Sequence, residues 1–134
     1  VGIASEGERS FCKDGRPDQW VALSLSAVNR QSTLAHEFGH AIEHTKRPIY
    51  LAAQKFLNAR TFGEEAKPLG DGYKSDEMCK KDHFPSPYCG KIYTQSTEII
   101  SMGLQYMYDS PDTFVKDDPE YFMFMVDVLM GNFS

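Results

Sequence analysis

No stretch of this chain approaches the roughly 18 consecutive apolar residues of a membrane-spanning helix, so nothing in it reads as crossing a bilayer. Nor is any cluster of Lys and Arg long enough to follow a phosphate backbone. Lys80 and Lys81 run straight into Asp82, and 14 basic residues against 19 acidic ones leave a formal charge of −5. A nucleic-acid partner is therefore not expected. Three cysteines are too few for a disulfide scaffold. Cys79 and Cys89 flank KKDHFPSPY and either pair across that loop or remain free, with Cys12 left over; a zinc site built from Cys79, His83 and Cys89 matches no standard ligand spacing. Internal repeats and low-complexity stretches are also lacking. The 134 residues, 41% of them apolar, suit one compact domain over residues 1–134 with a modest core. The chain starts at Val1 without a signal-like stretch and reads as a piece excised or processed from something longer.

What the chain does have is the run HEFGH, His36 to His40, inside TLAHEFGHAIEH. Residues four apart on a helix lie one above the other, so His36 and His40 can converge on one ion while Glu37 leans to the same side. Neutral imidazoles suit the tetrahedral preference of zinc, and a catalytic zinc keeps one position open for a water that becomes acidic near neutral pH. Glu37 is then the candidate general base, taking a proton from that water and handing it to a leaving amine. The bland alternative is a chance H-E-x-x-H on a solvated helix. Against it, at about 100° per residue from His36, His40 falls near 40° and Glu37 near 100°, whereas Leu34, Phe38, Ala41 and Ile42 span roughly 140° to 240°. The polar trio has its own face, and the apolar four are expected to face the core. Gly39 is a poor interior helix former, which fits a place where another backbone comes close.

Two histidines leave a zinc site incomplete. His44 shares their face but lies about 12 Å along the axis from His36, too far for one ion. It reads as a partly exposed histidine outside the ligand set. The longer pattern H-E-x-x-H-x-x-G-x-x-H needs Gly at 43 and His at 46, where this chain has Glu43 and Lys46. Downstream donors include Glu64, Glu65, Asp71, Asp76, Glu77, His83 and Glu98, most of them in polar loop sequence. Glu98 differs. QSTEIISMGLQYMY reads as a helix with Ser96 as N-cap, Glu98 in its first turn, and Ile99, Ile100, Met102, Leu104 and Met107 on an apolar face. The helix dipole alone accounts for an acid there. Yet the helix is otherwise almost uncharged, so Glu98 is expected at a mostly buried surface where an anion needs a cation. It is the favoured third ligand, with Asp71 of LGDGY as a smaller competitor.

Other segments frame these two helices. Residues 1–19 suggest an irregular lead-in or a short hairpin, and WVALSLSAV predicts a strand over Trp20–Ala27 ahead of a histidine helix over Ser32–Thr45. Pro48 opens a second helix, IYLAAQKFLNARTF. From Gly63 to Thr94 the chain is too long and polar for a simple connection, and it is expected to form a flap or short hairpin carrying Tyr73, His83, Tyr88 and Tyr93. Pro111 and Pro119 mark two more helix starts, and Tyr121, Phe122, Phe124, Met125, Val128 and Leu129 are spaced to face the core.

HEFGHAIEH followed by the acid of STEIISMGLQYMY resembles the gluzincin class of zinc metallopeptidases, most of all its anthrax lethal factor-like branch and the related domains attached to phage head proteins and bacterial toxins. The similarity runs over about residues 20 to 130 in the order of elements, and the H-E-x-x-H core is its specific part. The resemblance implies a mostly helical α+β domain of zincin-like form, with a small sheet beside the H-E-x-x-H helix. It further implies one zinc ion held by His36, His40 and Glu98, with Glu37 as catalytic base and a tyrosine shortly before the ligand helix that assists the transition state. The strand ahead of the histidine helix would offer its edge to an extended peptide. Tyr93 is the nearest such tyrosine, at a spacing to Glu98 that departs from the family, and Tyr88 and Tyr73 stay open. Ser101 or Met102 stands where some relatives carry a second acid. The expected protein is a soluble, monomeric zinc peptidase acting on a protein or peptide substrate; its compartment is not readable from the sequence, and secretion and phage association both stay open. Its rival is a metal-stabilised structural or interaction module of a phage or toxin protein that has lost catalysis.

Overall fold

A computed structural model describes residues 31–133 with their side chains, and Arg30 and the strands β1 (Gly2–Ala4), β2 (Phe11–Lys13) and β3 (Trp20–Ser24) by their backbone. The strand expected over Trp20–Ala27 is seen as far as Ser24, and its remainder lies outside the described residues. Within the sheet β3 is the central strand, parallel to β1, with Ile3 opposite Leu23, and antiparallel to β2, with Cys12 opposite Val21. This corrects the expectation of an edge open to a substrate strand: β3 is paired on both sides.

Five helices make up most of the remainder: α1 (Arg30–Thr45), α2 (Arg47–Arg60), α3 (Ile99–Asp109), α4 (Pro111–Asp117) and α5 (Pro119–Leu129). Lys46, in an extended conformation, separates α1 from α2, and Pro48 sits in the first turn of α2, where its missing N–H leaves no bond unmade. The polar stretch after α2 folds as a small antiparallel pair, β4 (Lys67–Pro68) and β5 (Met78–Cys79), then a 3₁₀ turn over Pro87–Gly90, with Lys91 bridging to Cys79. The fold is thus mostly helical α+β. No helix among the described residues is long and apolar enough to cross a membrane.

Tyr121 of α5 is fully enclosed at the centre of the core, edge-on to Phe84 and Phe114 and close to Met125, Ile99 and Ile100. Its hydroxyl donates to the Ile99 carbonyl at 2.5 Å, which pins the first residue of α3. Asp118 caps α5 by accepting from the Tyr121 amide, and it also receives Arg60 of α2. Met125 and Val128 are buried as expected, and Phe122 and Phe124 partly so. Leu129 is not: it is 53% exposed, because α5 ends there and the chain turns away through Gly131, whose φ is +77°.

α1 departs further from its expected orientation. Phe38 is 43% exposed and Leu34, Ala41 and Ile42 are only partly covered, while the buried positions are Ser32, Glu37, Gly39 and Glu43. The cause is α3, which runs antiparallel along the polar face. Ser32 meets Asp109, His36 meets Gln105, Gly39 meets Ser101 and Glu43 meets Thr97. At Gly39 the backbones touch: a Cβ there would stand 2.4 Å from Ser101 Cα and 2.8 Å from its amide nitrogen.

On propensity alone, Gly39→Ala stabilises a helix interior by roughly 0.5–1 kcal/mol. Here it must force two backbones apart, and we expect a net loss of about 1–3 kcal/mol in urea or thermal unfolding. A variant more stable than the parent would mean that α1 and α3 do not touch at this point.

Candidate metal centre

Antiparallel packing carries His36 and His40, one turn apart on α1, to the start of α3. Glu98 stands there at the N-cap position (φ −103°, ψ 7°) and not inside the first turn. The expected cap, Ser96, does not serve; Thr97 Oγ1 accepts from the Ile99 amide at 3.1 Å instead. His36 Nε2 lies 3.2 Å and His40 Nε2 3.1 Å from one and the same oxygen, Glu98 Oε1. Ligand atoms of the three side chains all fall within 4.8 Å of one another, and among the described residues no other set of His, Cys, Asp or Glu converges in this way. Asp71 is exposed and apart from the set. His44 packs against His40 at a ring separation of 6.3 Å. Cys79 and Cys89 are free, buried thiols, and the exposed His83 faces Asp82, so neither a disulfide nor a second zinc set forms in that loop.

Gln105, two turns along α3 from Glu98, faces the other ring nitrogen of His36. Its Oε1 lies 3.0 Å from His36 Nδ1. With its oxygen turned to the ring, the amide accepts from Nδ1–H, and Nε2 is the ring nitrogen that faces Glu98 Oε1. A ring nitrogen and a carboxylate oxygen 3.2 Å apart are bridged by a cation, either a proton or a metal ion. Bonds of about 2.0–2.1 Å to a tetrahedral zinc set its donors about 3.3–3.4 Å apart. The spacings found here are close to that edge, and two nitrogens with one carboxylate oxygen are a ligand set zinc takes. The residues fit the metal.

Glu98 is held from every side. Its Oε1 also accepts from Ser101 Oγ at 2.7 Å, and its Oε2 accepts from the Tyr93 hydroxyl at 2.5 Å. Of the three tyrosines left open by the sequence, Tyr93 is the one brought to the Glu98 carboxylate. Tyr73 stacks on Tyr88 at 5.8 Å, and Tyr88 leans toward the His36 ring at 6.3 Å. Behind Tyr93 its ring covers the Lys91 ammonium at 4.6 Å, itself paired with Glu77 at 2.7 Å.

The electrostatics follow from burial. Desolvation alone would raise the Glu98 carboxyl, but hydrogen bonds from His36 and His40 outweigh it and hold Glu98 well below the usual carboxylate range. For His40 burial favours the neutral ring, yet the bond to Glu98 and the charges of Glu98, Glu37 and Glu43 prevail and raise its pKa. Burial, then the charge of Glu98, pushes the Tyr93 phenol far up, so it remains a donor. Glu37 is 4% exposed, its Oε2 is the one buried side-chain oxygen or nitrogen among the described residues without a hydrogen-bond partner, and desolvation, only partly offset by His40 and His36, raises its pKa.

No protein-family model, curated protein or solved structure matches this chain. Sequence reasoning overlooked Gln105 and saw Ser101 only as the absence of an acid. The available signal was a polar stripe, Glu98, Ser101 and Gln105, spaced at three and four residues through an otherwise apolar helix.

In metal-free protein the His40–Glu98 pairing has a defined pH window. Glu98 is depressed below its ordinary 4.5, so its contribution is present above about pH 4.5 and is lost as pH falls through the folded-state value. His40 is raised above its ordinary 6.5, so its contribution is complete below about pH 6.5 and is lost as pH rises through the folded-state value. The difference in melting temperature between wild type and Glu98→Gln, measured with a chelator present, is expected to peak inside that window. A difference flat from pH 4 to 8 would contradict the pairing.

Proposed function

We propose that this chain is a zinc-dependent peptidase of zincin-like, gluzincin type, in which His36 Nε2, His40 Nε2 and a Glu98 oxygen hold one zinc ion. The observation that carries the reading is Glu37. A buried carboxylate oxygen with no partner is costly to maintain, and it lies beside three converging metal donors. A purely structural metal site has no evident use for it, which weighs against the rival reading of an inactive, metal-stabilised module.

Zinc at these donors supplies Lewis acidity, which polarises a carbonyl and makes water a better acid near neutral pH. The chain's own groups do the rest. Glu37 Oε2, desolvated and with raised proton affinity, takes the proton of the attacking water and returns it to the nitrogen of the leaving amine. Gln105 keeps His36 in the tautomer whose Nε2 is a ligand, as partners of the remote ring nitrogen do in metal sites generally. Ser101 holds Glu98 Oε1 against rotation. Tyr93, kept protonated, gives its one hydrogen to Glu98 Oε2, and it would meet charge developing on a substrate oxygen only by turning that hydrogen away from the carboxylate. The substrate class is a protein or peptide.

Purified wild type is expected to carry about one zinc per chain, and Glu98→Ala essentially none, by metal analysis. Zinc-loaded wild type should hydrolyse peptide bonds in a mixed protein substrate, with Glu37→Gln slower by about 10²–10⁴-fold at unchanged zinc content. Full hydrolysis by Glu37→Gln would sink the peptidase reading, and zinc-free protein in every case would dismiss the metal centre itself.

A further inference from the structure

Glu43 takes no part in the ligand set, yet it is as buried as any acid among the described residues, at 1% exposure. No Lys, Arg or His stands within ion-pair distance of it among the described residues. Its partners come instead from one short segment. Oε1 accepts from the Thr97 amide at 2.7 Å and from Ser96 Oγ at 3.4 Å, and Oε2 accepts from Thr97 Oγ1 at 2.7 Å. Having given its own hydrogen to Glu43, the Thr97 hydroxyl has lone pairs left, and one receives the Ile99 amide at 3.1 Å. Thr97 and Ile99 are the residues on either side of Glu98. Glu43 itself lies three residues after His40 on α1, on the face that bears the histidines. A chain of hydrogen bonds thus runs from the histidine helix through Thr97 to the first amide of α3, and Glu98 sits in its middle.

We propose that Glu43 is a positioning residue: through Thr97 it fixes the turn that delivers the Glu98 carboxylate to His36 and His40. The inference rests on the zinc reading above but concerns a residue that touches neither metal nor substrate. Burying a carboxylate without a counter-ion costs several kcal/mol unless hydrogen bonds satisfy it. A helix end that needed only a cap would be served by Thr97 alone. What the carboxylate adds is a rigid connection between α1 and the residue before Glu98, so both parts of the ligand set move as one body. Outer partners of metal ligands typically account for 10–100-fold in metal affinity.

The test compares Thr97→Val, Thr97→Ser and Glu43→Gln with wild type in the full chain, using zinc in competition with a chromophoric chelator. Thr97→Ser keeps the hydroxyl and is expected to bind zinc within about twofold of wild type, whereas Thr97→Val and Glu43→Gln bind about 10–100-fold more weakly. Cobalt(II) at saturation gives a second readout. Its visible bands follow ligand geometry, so they shift in Thr97→Val and not in Thr97→Ser if the connection aims Glu98. A clasp that served stability alone would lower the melting temperature and leave those bands unchanged. Wild-type affinity and spectrum in Thr97→Val, or equal losses in Thr97→Ser and Thr97→Val, would overturn the proposal while leaving the zinc site intact. Wild type that binds neither ion would overturn the zinc reading and this role together. Should Glu43→Gln fail to fold, the pair of Thr97 variants decides.

Discussion

The backbone contact between Gly39 and Ser101 is the constraint on which the rest of the site depends. Only where α1 has no side chain can α3 come close enough for two imidazoles on one helix to share a single carboxylate oxygen on the other. The contact also explains why the polar face of α1 is the covered one. Once the helices touch at Gly39, residues a turn away in either direction, His36 and Glu43, are set against Gln105 and Thr97. From the far side Tyr121 fixes the Ile99 carbonyl, so the start of α3 is held by the core as well as by α1.

Three carboxylates, Glu37, Glu43 and Glu98, lie buried in this small volume, and each meets the cost of burial differently. Glu98 has the imidazoles, a serine and a tyrosine around it. Glu43 is met by neutral donors of the Ser96–Thr97 segment. Glu37 keeps one oxygen unsatisfied. In a low-dielectric setting such a difference is chemically informative, because a fully bonded carboxylate is fixed in place and an unbonded one is free to exchange a proton.

Much of this was legible in the sequence, for identifiable reasons. H-E-x-x-H places its donors by helical spacing alone, and Glu98 stood out because its helix carries almost no other charge. Four helix starts near prolines or after loops were readable from backbone chemistry at Pro48, Pro111 and Pro119 and from the apolar stripe after Glu98. The burial of α1 was misjudged because amphipathicity assigns apolar residues to the interior, whereas a site of this kind is itself an interior lined with polar groups. Gln105 and Glu43 were hidden for the same reason: on a helix, a polar residue at regular spacing looks like a solvated face until a partner helix is known. The central place of β3 depended on pairings with β1 and β2, which local pattern does not encode.

The interface of α1 with α3 differs in kind from the apolar core beneath α5. Greasy surfaces tolerate sliding, since one methyl group replaces another at little cost. Here a slip of either helix by one turn would set Ser32 past Asp109, His36 past Gln105 and Glu43 past Thr97 all at once, leaving the buried Glu43 carboxylate without its donors at a cost of several kcal/mol. The two helices therefore mesh like a key cut in polar teeth: whatever adhesion such an interface gives up relative to an oily one, it returns as a single permitted register.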